Sequence, residues 1–199
     1  AWGCTQGFLK GRDSASIPVL CVFDSEEVGS VSPQGAGSSL LEDTLGRICD
    51  GLKLNRGRML AQSFLVSADN AHAVHPNHPE YADPGNAPVM GGGLVIKYNA
   101  NLSYCTDSVS AAVFRKICGR AGVKVQTYHN RADLPGGSTL GRISLAHVSV
   151  PTVDIGLAQL AMHSCYETAA VSDAIDLETA MTAYYGSTLE ATESGFSIL

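Results

Sequence analysis

A short unbroken apolar run rich in β-branched residues, 17–23 (IPVLCVF), constrains the fold of this chain more than any other feature, and 94–98 (LVIKY) and 148–155 (VSVPTVDI) read as two further strands. A strand that is apolar throughout, rather than at alternate positions, is buried on both faces, as in a central sheet covered by helices. Shorter runs at 63–68 (SFLVSA) and 123–128 complete a set of five expected strands, with Pro151 marking an edge or an irregularity. Between the runs the apolar period changes. Within 35–54, Leu40, Leu41, Thr44, Leu45 and Ile48 recur at helical spacing, and 108–120 is amphipathic and ends at Gly119 and Gly122. A short helix is expected to lead to His147, and a closing helix to cover 167–185. Strands alternating with helices predict an α/β layered fold, a central mixed β-sheet flanked by helices. Residues 1–16, rich in Gly and Ser, read as a loop or a cut edge. Residues 70–93 read as one long loop dense in proline, glycine and histidine, the kind that is usually functional.

Composition excludes several classes. With 13 Lys+Arg against 19 Asp+Glu the net charge is −6, and no basic stripe suggests a nucleic-acid surface. No apolar run approaches the ~20 residues of a membrane helix. The six cysteines, Cys4, Cys21, Cys49, Cys105, Cys118 and Cys165, form no Cys-x-x-Cys pair. They read as free thiols of a reducing compartment, consistent with a cytoplasmic protein. The start carries no initiator Met, no basic segment and no apolar leader, so the chain is expected to begin partway through something larger.

Four segments carry chemistry. Glu26 and Glu27 follow the first expected strand, and ligand sites in α/β sheets lie beyond the carboxyl ends of strands. Two adjacent carboxylates there divide the labour between a cation and a general base, or form a solvated acidic turn. Asp69, His72, His75 and His78 offer zinc-type donors in one stretch, against the alternative that the imidazoles only brace the loop. His163 precedes the last helix beside Cys165, which bears no mark of an activated thiol. Gly91–Gly93 and Gly136–Gly137 lack phosphate-loop spacing and suit close backbone approach of a substrate, with Lys97 just past the first group.

In order along the chain, FDSEEVGS (23–30), SADNAHAVHPNH (67–78), GGLVIKYN (92–99), DLPGGSTLG (133–141) and QLAMHS (159–164) resemble the C-terminal half of the aspartyl aminopeptidases. These are two-metal zinc exopeptidases, and the resemblance runs from about Val19 to Tyr184. It implies Glu26 as general base, Glu27 and His163 as ligands of one Zn²⁺, and Asp69 as ligand of the other. It implies Lys97 in the pocket for the substrate's first residue, with His72, Tyr104 and Gly137 as further substrate contacts. It leaves the roles of His75 and His78 open. The expected activity is removal of an N-terminal Asp or Glu from peptides by a homo-oligomer. The alternatives are a catalytically inactive scaffold of the same fold and a peptidase for neutral N-terminal residues. Family members are more than twice this long. They carry a His-x-Asp motif and a bridging Asp ahead of the matched stretch, and an inserted assembly domain. Nothing in 1–22 matches either motif. The chain is therefore expected to be the C-terminal part of a catalytic domain, a fragment or a partner to a second chain carrying the N-terminal half.

Overall fold

The structure is a computed structural model that describes residues 1–199. Its strands are β1 (Leu65–Ala68), β2 (Ala71–His72), β3 (Leu94–Tyr98), β4 (Val125–His129), β5 (Thr152–Gly156), β6 (Ala158–Leu160), β7 (Thr168–Ala169), β8 (Leu189–Thr192) and β9 (Gly195–Ile198). Its helices are α1 (Trp2–Lys10), α2 (Leu40–Gly51), α3 (Arg56–Ala61), α4 (Ser108–Arg120), α5 (Leu140–Leu145) and α6 (Val171–Gly186). The central sheet has the order β1-β5-β3-β4. β1 runs parallel to β5 and β3 parallel to β4, while β3 and β5 are antiparallel, so the sheet is mixed as expected.

The period of two along β3 sorts its side chains between two interiors. Leu94 and Ile96 join Val153 and Ile155 of β5, Phe114 and Cys118 of α4, and Leu177, Ala180 and Met181 of α6. Val95 points the other way and packs with Ala71, Tyr104, Tyr128 and Ala158. Lys97 follows Val95 onto that second face. The start of α4 is fixed by a capping box: Asp107 Oδ1 accepts from the Ser110 N–H at 2.7 Å, and Ser110 Oγ accepts from the Asp107 N–H at 3.0 Å.

Two expectations fail at the N-terminal end. Residues 1–16 are not a loop, because α1 fills much of them. Gly3, Gly7 and Gly11 recur every four residues, which places them on one side of a helix, and α6 lies against that side. A Cβ on Gly7 would sit 2.4 Å from Met181 Cβ and 2.7 Å from its backbone carbon. The glycines are an approach surface between two helices. Gly7→Ala is accordingly expected to destabilise by ~1–3 kcal/mol through overpacking, despite the better helix propensity of Ala. Gly119→Ala on α4, where a Cβ meets nothing within 4 Å, should be neutral or stabilising by up to ~1 kcal/mol. Denaturant midpoints of the two variants check this.

The run 17–23 is not a strand. It joins no sheet and makes no backbone–backbone hydrogen bond, and Ile17, Cys21 and Val22 are exposed. Leu20 and Phe23 still pack on the cores below. Apolar, β-branched composition licenses a strand only where a neighbouring backbone supplies the ladder, and β1 pairs with β5 alone. Smaller differences have local causes. The helix expected over 35–54 is α2 alone, and the one expected from 167 starts at Val171 because Thr168 and Ala169 pair with β6. Pro151 precedes β5, which is an internal strand; its ring costs no ladder bond there, and its carbonyl accepts from Leu65 N.

Candidate active site

A cavity of about 360 Å³ opens on the second face of the sheet. Glu26, Glu27, Asp69, His72, Lys97, Tyr104, Gly137 and His163 all line it. Residues from segments more than a hundred positions apart in sequence therefore converge. Two strained turns deliver the outer ones. Glu26 and Glu27 sit in a short 3₁₀ turn (Glu26–Val28) flanked by Ser25 at φ 60° and Gly29 at φ 100°. His163 itself has φ 67°, two residues after Ala161 at φ 57°. Left-handed backbone at non-glycine residues is costly and gathers where side chains are aimed for function.

His163 Nε2 lies 2.8 Å from Glu27 Oε2, with both side chains largely exposed, and the His163 N–H donates to Glu167 Oε1 at 2.7 Å. Glu26 is more enclosed. Burial first, then the charges of Asp69 and Glu27, hold its carboxyl above the usual range. His72, on β2, is pushed below the ordinary imidazole value by burial and by His163 and Lys97. His75 and His78 are elsewhere. His75 Nδ1 accepts from the Asn77 N–H at 3.2 Å, its ring lies 5.4 Å from that of His78, and His78 Nδ1 meets Glu80 Oε1 at 3.0 Å. The one stretch of zinc-type donors is thus divided, since His72 belongs to a strand and the chain turns at 76–77.

Lys97 is 1 % exposed. Its ammonium is sunk in the cavity wall. Its Nζ donates to Asp69 O at 2.8 Å, Asn70 O at 3.2 Å and Asp69 Oδ2 at 3.3 Å, and sits 5.2 Å from the centroid of the Tyr104 ring. Burial pushes Lys97 down, and the carboxylates of Asp69 and Asp154 oppose that.

The glycine runs divide. Gly137 lines the cavity, and a Cβ there would meet nothing within 4 Å. Gly91–Gly93 do not line it. Gly91 and Gly93 donate to Asp173 of α6, and a Cβ on Gly93 would lie 2.3 Å from Lys124 O. Their purpose is to let the chain enter β3 against β4, not to admit a substrate.

Glu27 and His163 are a carboxylate and an imidazole of the kind zinc takes. Asp69 adds a carboxylate on the same cavity, turned toward Lys97. No three His, Cys, Asp or Glu side chains gather closely enough to hold a metal ion by themselves. The residues present thus fit zinc as part of a donor set. Sequence reasoning missed Ser138, Thr139, Gln159 and Glu167 in the lining, and Asp154 behind it. Asp154 had a visible signal, a carboxylate inside an otherwise apolar strand.

A mixed sheet with carboxylates and an imidazole gathered beyond its strands is the arrangement of a metal-dependent hydrolase. The chain belongs to the aminopeptidase I zinc metalloprotease family, M18, whose model matches residues 5–185. It is 46% identical over 183 residues to a probable M18 family aminopeptidase 2 of Mycobacterium tuberculosis, covering 89% of this chain and 42% of that protein. It is 45% identical over 166 residues to a probable aspartyl aminopeptidase of Ricinus communis, covering 81% of this chain and 34% of that one. Among solved structures it is similar to the mApe1 dodecamer of S. cerevisiae, with a TM-score of 0.71 and 28% identity over 82% of this chain and 36% of that chain. The chain therefore spans less than half the length of these relatives, and the fold expected from its sequence is the fold of the family. No helix is long and apolar enough to cross a membrane.

Proposed function

We propose that this chain carries the C-terminal part of the catalytic domain of a metallo-aminopeptidase that removes N-terminal Asp or Glu from peptides. The observation that carries the reading is the convergence of Glu26, Glu27, Asp69 and His163 on one cavity with a buried lysine in its wall. Family membership and the similarity to an aspartyl aminopeptidase support it. Glu27 and His163 would hold one zinc ion and Asp69 a second, the remaining ligands coming from the N-terminal part of the domain, on the same or a second chain. A bound zinc ion supplies acidity to a coordinated water, lowering its pKa toward ~7. Glu26 would take a proton from the attacking water at a carboxylate oxygen and pass it to the amine released as the peptide C–N bond breaks. Lys97 and His72 face the substrate's first residue, and Tyr104 and Gly137 bound its path. The similarity to a dodecameric relative supports a homo-oligomer, and six free cysteines suit a reducing, cytoplasmic setting.

Metal content tests the ligand assignment. Glu27→Gln and His163→Ala are expected to lower bound zinc, read by elemental analysis, where Glu26→Gln leaves it near normal. Chelation should abolish cleavage of Asp-terminated peptides and zinc should restore it. Unchanged zinc in both ligand variants would remove the assignment.

A further inference from the structure

Asp154 is the one buried carboxylate on the cavity side of the central sheet, and the activity proposed above gives it no role. It is 0 % exposed, between Val153 and Ile155, which face the opposite interior. The alternation of β5 therefore turns Asp154 to the face of Val95 and Lys97. The antiparallel register Ile96↔Ile155 brings Lys97 level with Asp154 one residue on. Opposite charges at such cross-strand positions stabilise one another.

The carboxylate is also a knot between segments. Asp154 Oδ1 accepts from Thr139 Oγ1 at 2.9 Å, and Oδ2 from the Cys105 N–H at 2.5 Å. Thr106 Oγ1 accepts from the Asp154 N–H at 2.8 Å. A Cβ on Gly141 would lie 2.8 Å from Oδ1 and 2.7 Å from Ser67 Oγ, so the space around the group is closed. Each tethered segment carries a wall of the cavity. Cys105 follows Tyr104, and Thr139 ends the loop that bears Gly137 and Ser138. The register thus sets Asp154 across from Lys97, whose ammonium makes its one ion pair with Asp69 Oδ2 at 3.3 Å. The Asp69 side chain is 38% exposed and faces the cavity, whereas Asp154 is sealed from water. A fully buried carboxylate persists only where charge and hydrogen bonds compensate it, and here both compensations come from parts of the site.

We infer that Asp154 is a positioning residue. Its carboxylate is the fixed counter-charge of Lys97 and the clamp that holds the Tyr104 turn and the Gly137 loop against it, and through Lys97 it sets selectivity for an acidic N-terminal residue. This rests on the peptidase reading of the cavity.

The test compares Asp- and Leu-terminated peptides on the complete enzyme, its N-terminal part included, as wild type, Asp154→Asn, Lys97→Met and the double variant. Asp154→Asn is expected to lower kcat/KM for the Asp peptide by about tenfold or more, chiefly through KM, and to change the Leu peptide by less than about threefold. In the Lys97→Met background it should move the Asp/Leu ratio no further, because both changes act through one group. An equal loss on both peptides, or additive effects on the ratio, would overturn the inference. If Asp154→Asn does not fold, Thr139→Val removes one donor at nearly constant shape and should shift the ratio in the same direction by less; an unchanged ratio overturns it. If the wild type cleaves neither peptide, the peptidase reading fails, and amide hydrogen exchange then decides the clamp. Loss of protection at both Cys105 and 137–139 in Asp154→Asn, with Phe114 unchanged, upholds it; protection kept at either segment sinks it.

Discussion

Glu26→Gln is expected to reduce aminopeptidase turnover by ~10²–10⁴-fold while the protein keeps its fold and its zinc. The amide is nearly isosteric with the carboxylate but cannot take a proton, so the loss falls on kcat and leaves KM near its wild-type value. Little else should change. Glu26 makes no hydrogen bond through its side chain and only borders the cavity, so no structural partner is orphaned by the substitution. Glu27 is different, since its Oε2 meets His163 Nε2. Turnover and zinc content measured on the two Glu→Gln variants separate the roles. If Glu26→Gln turned over at near the wild-type rate, or if both variants lost zinc alike, the division of labour between the adjacent carboxylates would be wrong.

Lys97→Met is expected to erase or invert the preference for an acidic first residue. Removing one side of a desolvated charge pair costs ~2–5 kcal/mol, tens to thousands of fold in kcat/KM for the Asp peptide. The Leu peptide should change far less, because the ammonium is already paired with Asp69 and asks nothing of an apolar first residue. The depth of Lys97 in the structure adds a second consequence. Its three N–H groups are all taken, by Asp69 O, Asp69 Oδ2 and Asn70 O, so Met leaves three acceptors without a donor and the variant should also be less stable. A substrate carboxylate would have to share the ammonium with Asp69 Oδ2, whose bond is the longest of the three. The ratio of the two peptides is the informative readout because it is independent of how much of the variant is folded. Identical substrate ranking in wild type and Lys97→Met would mean that some other group discriminates.

Which parts of this protein were legible in the sequence follows from the range of the forces involved. β3 was placed to the residue, and α4 with its ends, because a short, mainly apolar run bounded by glycines and an amphipathic period with a cap are each written within about a dozen residues. The residues of the cavity were legible too, but through motif resemblance; from chemistry alone the Glu pair remained as consistent with a solvated turn. Errors arose where a segment depends on a remote neighbour. The run 17–23 has the composition of a central strand, yet no backbone stands beside it to complete the ladder. Gly3, Gly7 and Gly11 read as loop residues until α6 lies 2.4–2.9 Å from where their Cβ atoms would be.

The sequence by itself determined the class of fold, the family, and the set of side chains able to bind a cation or move a proton, because apolar period and residue chemistry are local properties. Only the tertiary structure decided which of those side chains meet. It kept His72 and left His75 and His78 outside, because the chain turns away after β2. It spent Gly91–Gly93 on helix and strand packing rather than on substrate. It buried Lys97 in the wall and set Asp154 level with it, since the antiparallel pairing of β3 with β5 joins strands distant in sequence and is fixed by no feature of either one alone.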